Sequence, residues 1–192
     1  MKHLFIIISS FLIILCSSTA WGQTLRVYRS IGEVAHPDSV VQLSLRRQHL
    51  KSIPPDVFSY RNLQVLDLSR NRIRIIPDSI SRLTELRDLN MERNKIHSVP
   101  SAIGSLCHLR RINLSRNPIL DLPASMSQLS QLEELIIWST GVIEFPDSFR
   151  SLNYTLKLID MRACPLMHNH QEAIEEMLPT PRKRWNYTCN CK

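Results

Sequence analysis

The sequence predicts an α/β solenoid, an arc of stacked turns with a parallel sheet on its concave side and short helical turns on its convex side. Three observations lead there: a 23-residue period, leucines alternating with polar residues inside each period, and a proline at constant distance after each alternation. The units begin at Val40, Leu63, Leu86, Leu109, Leu132 and, in divergent form, Leu156.

Each unit opens on a short strand. In Leu66-Asp67-Leu68 the period of two turns both leucines to one face and the aspartate to the other. The slot that ends the strand holds Gln48, Asn71, Asn94, Asn117, Thr140 and Cys164, spaced by 23 residues until a last step of 24. A buried side-chain amide there can serve turn N–H and C=O groups that no sheet reaches. Pro54, Pro77, Pro100, Pro123 and Pro146 follow in the same register. Proline stops strand pairing, and Asp78-Ser79 offers a cap for one helical turn carrying Ile80 and Leu83. A single unit of this size cannot bury enough apolar surface to offset the entropy of ordering it, so the units must stack.

The pattern L-x-x-L-x-L-x-x-N-x-L, two further residues, then an apolar residue and a proline, resembles the leucine-rich-repeat family. The resemblance is to its 23-residue class with Leu/Ile-Pro in each unit, as in Ras-group-related and bacterial leucine-rich-repeat proteins. It implies six units over residues 39–168 and a module that binds a partner without catalysis.

Both open ends of such a stack need covering. Residues 23–38 form the expected N-terminal cap, where Ser30-Ile31-Gly32-Glu33 has the form of a capping box opening a short helix through Ala35, stopped by Pro37. Residues 169–192 form the expected C-terminal cap and a basic tail. Gln171 to Leu178 places Ala173, Ile174, Met177 and Leu178 on one helical face, and Pro179 ends it. The tail carries Arg182, Lys183, Arg184 and Lys192 without an acid, which accounts for much of the net charge of +7. Trp185 and Tyr187 are interleaved with these bases, but the short tail reads as solvated or partner-facing, and no nucleic acid is expected.

Residues 1–22 have the layout of a secretory signal: Lys2 and His3, an apolar run from Leu4 to Leu15, then the small residues Ser17 to Ala20. Cleavage is expected near Ala20 or Gly22, giving an exported protein, whether secreted, periplasmic or on the cell surface. The run is shorter than the roughly 20 apolar residues a bilayer requires, so no stable membrane span is expected.

Function should sit on the inner sheet, between the buried leucines. One column there holds Ser44, Asp67, Asn90, Asn113, Ile136 and Asp160, and the next holds Arg46, Ser69, Glu92, Ser115, Trp138 and Arg162. A third holds Arg47, Arg70, Arg93 and Arg116, then Ser139 and Ala163. Four arginines one unit apart repel weakly in water and would gain from an anion, which points to a protein partner with an acidic surface. Farther along, Ile136, Trp138 and Leu158 are expected to point outward as an apolar anchor. The alternative to the anchor is that the C-terminal tail folds back over them. The alternative to a protein partner is a surface or adhesion role, with an anionic glycan or cell-wall polymer on the arginine edge.

Signals for chemistry are scarce. None of the four glycines builds a phosphate-cradling loop, and GxSxG, HExxH and Asp-rich calcium loops are missing from the sequence. An enzyme, a cofactor and a metal site are therefore not expected. Beyond the signal lie Cys107, Cys164, Cys189 and Cys191; Cys164 reads either as a buried thiol in the turn slot or as half of a bridge to the tail. Asn113, Asn153 and Asn186 head formal glycosylation acceptors.

Overall fold

The computed structural model describes residues 26–34 and 36–185. Among these, eight short strands form one sheet in chain order, every neighbouring pair parallel. They are β1 (Val27–Tyr28), β2 (Gln42–Ser44), β3 (Val65–Asp67), β4 (Asp88–Asn90), β5 (Arg111–Asn113), β6 (Glu134–Ile136), β7 (Leu158–Asp160) and β8 (Arg182–Arg184). The register joins equivalent repeat positions, as in Leu66 opposite Leu89 and Leu89 opposite Ile112. The 23-residue period has thus become one strand step of about 4.8 Å.

Strand order without crossovers follows from the chain's return path. Each proline sits in an extended conformation, Pro77 at φ −76° and ψ 156°, and releases the chain into a 3-10 turn on the convex side: Pro55–Ser59, Asp78–Arg82, Ser101–Ser105, Ala124–Gln128 and Asp147–Tyr154. The expected Asp78-Ser79 cap is absent, because Pro77 takes the cap position and its carbonyl accepts Ile80 N–H at 3.0 Å. Ile80 and Leu83 are fully buried as expected. Gly104 is needed where neighbouring turns approach, since a Cβ there would run into Ser125 O. The single 24-residue step falls where the last 3-10 segment, Asp147–Tyr154, lengthens to eight residues and absorbs the extra one.

The core is a continuous ladder of Leu63, Leu66, Leu68, Leu86, Leu89, Leu109, Ile112, Leu132 and Leu135, all inaccessible to solvent. At its two ends the structure departs from expectation. Residues Ile31–Glu33 make a 3-10 turn that ends at Val34, shorter than the predicted helix. Ser30 makes no side-chain cap bond, and Glu33 instead accepts the Arg29 N–H at 3.2 Å. The cap region also donates strand β1, whose Tyr28 pairs with Leu43 and is buried.

At the other end, α1 (His168–Met177) begins three residues before the predicted start. The Met167 N–H is taken by the His170 ring at 3.2 Å, and His168 pairs with Glu172 at 3.0 Å. Ile174 and Leu178 are buried and Met177 is half-buried, whereas Ala173 faces solvent. Arg182–Arg184 is no solvated tail: it is β8, paired with β7. Its middle residue Lys183 stands at the inward position filled by leucine or isoleucine in β2 to β7. Desolvation there lowers its pKa, Glu175 acts the other way, and Nζ donates to Pro181 O at 3.2 Å. A cation at the core position of an edge strand opposes addition of a further apolar strand. Trp185 packs against the core beside it, its Nε1 donating to Glu175 at 3.3 Å.

The expected signal segment 1–22, Tyr187, Cys189, Cys191 and the Asn186 acceptor lie outside the described residues. No helix among the described residues is long and apolar enough to cross a membrane.

Candidate partner-binding face

Every strand from β2 to β7 leaves the sheet through the same turn, and its last residue before the slot is left-handed. Arg47, Arg70, Arg93 and Arg116 have φ between 56° and 59°, as do Ser139 and Ala163 at 56°. A residue other than glycine in this region costs on the order of 1 kcal/mol. The stacking holds it there: Arg47 N–H donates to Ser69 O, Arg70 to Glu92 O, Arg93 to Ser115 O and Arg116 to Trp138 O, at 2.7 to 3.1 Å. The four arginines therefore spring from equivalent backbone sites one strand step apart.

The slot that follows ties most of these turns into the stack. Asn94 Nδ2 donates to Leu68 O and Met91 O, each at 3.0 Å, while its Oδ1 accepts Ile73 N–H at 3.0 Å. Asn117 repeats this with Met91 O, Leu114 O and Ile96 N–H, and Asn71 with Leu45 O, Leu68 O and the N–H groups of Gln48 and Leu50. Gln48 departs from the expected buried role: it is exposed, and its longer amide reaches outward to Arg29 O at 2.6 Å. Thr140 and Cys164 fill the slot with single donors to Ile137 O, at 2.7 and 3.2 Å. Cys164 has no disulfide partner among the described residues, and its thiol pKa is raised, first by desolvation.

Charge is treated differently in different columns. In the column through the strand starts, Arg111 bridges Asp88 at 3.9 Å and Glu134 at 3.2 Å, and Lys157 meets Glu133 at 2.7 Å beside it. The arginine column has one ion pair among the described residues, Arg93 with Glu92 at 3.6 Å. Arg70 is half-buried, and its Nε finds no acceptor. Its pKa is pulled below the usual value by desolvation and then by the positive charges of Arg47, Arg46 and Arg93, against which Glu92 works.

The column ends on an aromatic ring. The Arg116 guanidinium lies 4.2 Å from the centre of the Trp138 ring, within cation–π range. Trp138 and Leu158 are half-buried, and Ile136, expected to stand outward, is buried. In register Ile136 lies between Asn113 and Asp160, both themselves buried, so its column is closed on both sides. Leu158 is flanked by β8, with Arg182 opposite it. The three therefore do not form an open apolar anchor; Trp138 is the one that meets the arginine column, at Arg116. Asn113 is likewise too buried to accept a glycan, and its Oδ1 already holds the Ser115 N–H at 3.0 Å. The left-handed arginine turn was missed from the sequence, where the available signal was the recurring slot itself, since the residue before it is left-handed whether the slot holds Asn, Gln, Thr or Cys.

A family model described as leucine rich repeat matches residues 38–96, and a second leucine rich repeat model matches residues 108–129. These stretches match leucine-rich repeats, and the parallel sheet with convex turns is a leucine-rich-repeat arc. Among solved structures it is similar to a leucine-rich-repeat protein of Leptospira interrogans at 20% identity and a TM-score of 0.53, over 83% of this chain and 54% of that one. It is also similar to the ectodomain of the Arabidopsis thaliana membrane receptor kinase GASSHO1/SCHENGEN3, solved in complex with CASPARIAN STRIP INTEGRITY FACTOR 2. There the identity is 24% and the TM-score 0.60, over 79% of this chain and 19% of the receptor chain. This chain thus spans about half of the first neighbour and a fifth of the second. No curated protein matches the sequence.

Proposed function

We propose that this chain is an exported, non-catalytic binding module that receives an acidic protein surface along the concave edge marked by Arg47, Arg70, Arg93 and Arg116. The observation that carries the reading is the unresolved charge of that column. Arg70 keeps a buried Nε without an acceptor and three arginines around it, while the column through the strand starts settles its charges internally. Guanidinium groups pair bidentately with carboxylates and are enriched where interfaces carry their affinity. Leucine-rich-repeat domains generally mediate protein binding, and the plant receptor ectodomain, solved with a bound partner, lends support to a protein ligand. The second reading, an anionic glycan or cell-wall polymer on the same arginines, draws on the same charge without using Trp138.

Capture of partners at rising ionic strength tests the reading. Changing Arg70, Arg93 and Arg116 together to serine, which Ser139 already shows to fit the turn, should weaken capture of a protein partner and flatten its salt dependence. Unchanged affinity in the triple variant overturns the proposal, and capture of polymer alone, lost by about 0.5 M salt, replaces it with the glycan reading.

A further inference from the structure

We infer that the arginine edge is shaped for an acidic α-helix of the partner, laid along the column across the strands; this rests on the acidic-surface reading above and names the form that surface takes. The geometry comes from the backbone. Each arginine sits at the same left-handed φ and donates its N–H to the equivalent carbonyl of the next unit, so successive side chains start one strand step apart. Three steps of about 4.8 Å carry the column some 14 Å from Arg47 to Arg116.

An acidic partner must repeat its carboxylates at that interval. On a helix, residues i, i+3, i+7 and i+10 share one face and span about 15 Å at 1.5 Å per residue. On an extended strand, four residues on one side span about 20 Å at 3.3 Å per residue. The helix stays within about 1 Å of the ladder over its whole length. With its first carboxylate set at Arg47, the strand has drifted by about 5 Å at the fourth arginine, more than the roughly 4 Å over which an ion pair forms.

Side-chain reach does not erase the difference, because two of the four arginines are restrained. Arg70 is half-buried with its Nε out of solvent, and Arg116 is held on the Trp138 ring at 4.2 Å. The left-handed turn also lies beyond the last residue of each strand, at the margin of the sheet. A rod about 10 Å wide can rest there without displacing the buried Asn113 and Asp160 of the inner column.

Four probes decide it with the full chain. The first is a synthetic peptide with glutamates at i, i+3, i+7 and i+10 in an alanine-rich background, and the second has the same composition with its glutamates spread around the helix. The third has alternate glutamates in a threonine background, and the fourth is a sulfated polysaccharide. The striped peptide should bind about tenfold more tightly than the other three at matched salt and gain helical circular dichroism on binding. The Arg70→Ser, Arg93→Ser double variant should lose that preference while keeping its own circular-dichroism spectrum and a single cooperative unfolding transition. Equal binding by the alternating peptide or the polysaccharide, or no binding by any peptide, overturns the helical assignment. If the serine variants still weaken capture of a protein partner in that event, the acidic-surface reading survives without it.

Discussion

In the turns after β3, β4 and β5 an asparagine satisfies two carbonyls and at least one N–H, and an arginine stands before it, Arg70 without an acceptor for its Nε, Arg93 beside Glu92 and Arg116 on the Trp138 ring. After β6 and β7 the same slots hold Thr140 and Cys164, each donating once to Ile137 O, and the residues before them are Ser139 and Ala163. Charge follows the opposite course. The later turns gather Arg162 and Arg184 around Asp160, with Arg162 bidentate at 2.9 and 2.7 Å and Arg184 at 3.9 Å. The first region is strong in backbone bonding and leaves its charge open; the second is weaker in backbone bonding and closes its charge internally. Regular turns hold the arginine ladder in register, whereas paired charges gather about the last described strands.

The largest expected effect tests the backbone half of that contrast. Asn94→Ala removes the acceptor of Ile73 N–H and thins the bonding of Leu68 O and Met91 O, all buried, and should cost about 3 kcal/mol of unfolding free energy. Thr140→Val removes one donor from a carbonyl that Cys164 still reaches, and should cost about 1 kcal/mol. Denaturant titration of both variants measures the pair, and equal losses would abolish the distinction between the two regions. A smaller effect concerns the closed charge. Asp160 is 3% exposed and also accepts the Arg162 N–H, so Asp160→Ala should cost about 2 kcal/mol. It should also speed hydrogen exchange at the Met161 N–H, which donates across to Arg184 O at 3.0 Å. Unchanged exchange there would mean that β8 is held by its backbone and Trp185 alone.

The regularity of the first region is what made it legible. A leucine two residues from another and an asparagine three residues on repeat at a fixed period, so strands, core and slots are legible in the sequence. The ends broke that period. Tyr28 pairs with Leu43 only fifteen residues away, and Arg182–Lys183–Arg184 has no apolar alternation; neither could be seen as a strand. Pairing with a finished neighbour makes them strands, a tertiary cause that a local pattern does not carry. Ile136 misled for a related reason: its position faces the inner surface, but its burial is decided by Asn113 and Asp160 on adjacent strands. Gln48 matched the slot in spacing and in amide chemistry, yet its extra methylene sends the amide to Arg29 O.

The smallest effect goes to the root of the comparison, because it asks whether the open column is a cost to the free protein. Arg70 has its pKa lowered by desolvation and by Arg47, Arg46 and Arg93, so the charged form is disfavoured in the fold relative to the unfolded chain. A lowered pKa on a base means that stability would rise only as pH climbed through the folded value. That value belongs to a guanidinium, which stays charged at any working pH, so salt is the usable lever. Arg70→Ser should raise the melting temperature of the free protein at low salt by about a degree. The gain should fade by about 0.5 M salt, where the screening length falls to roughly 4 Å. Calorimetry at two ionic strengths reads it. A variant that melts lower at low salt would show that Arg70 stabilises the solenoid through its stem, and the column would then be structural support and not a surface waiting for an anion.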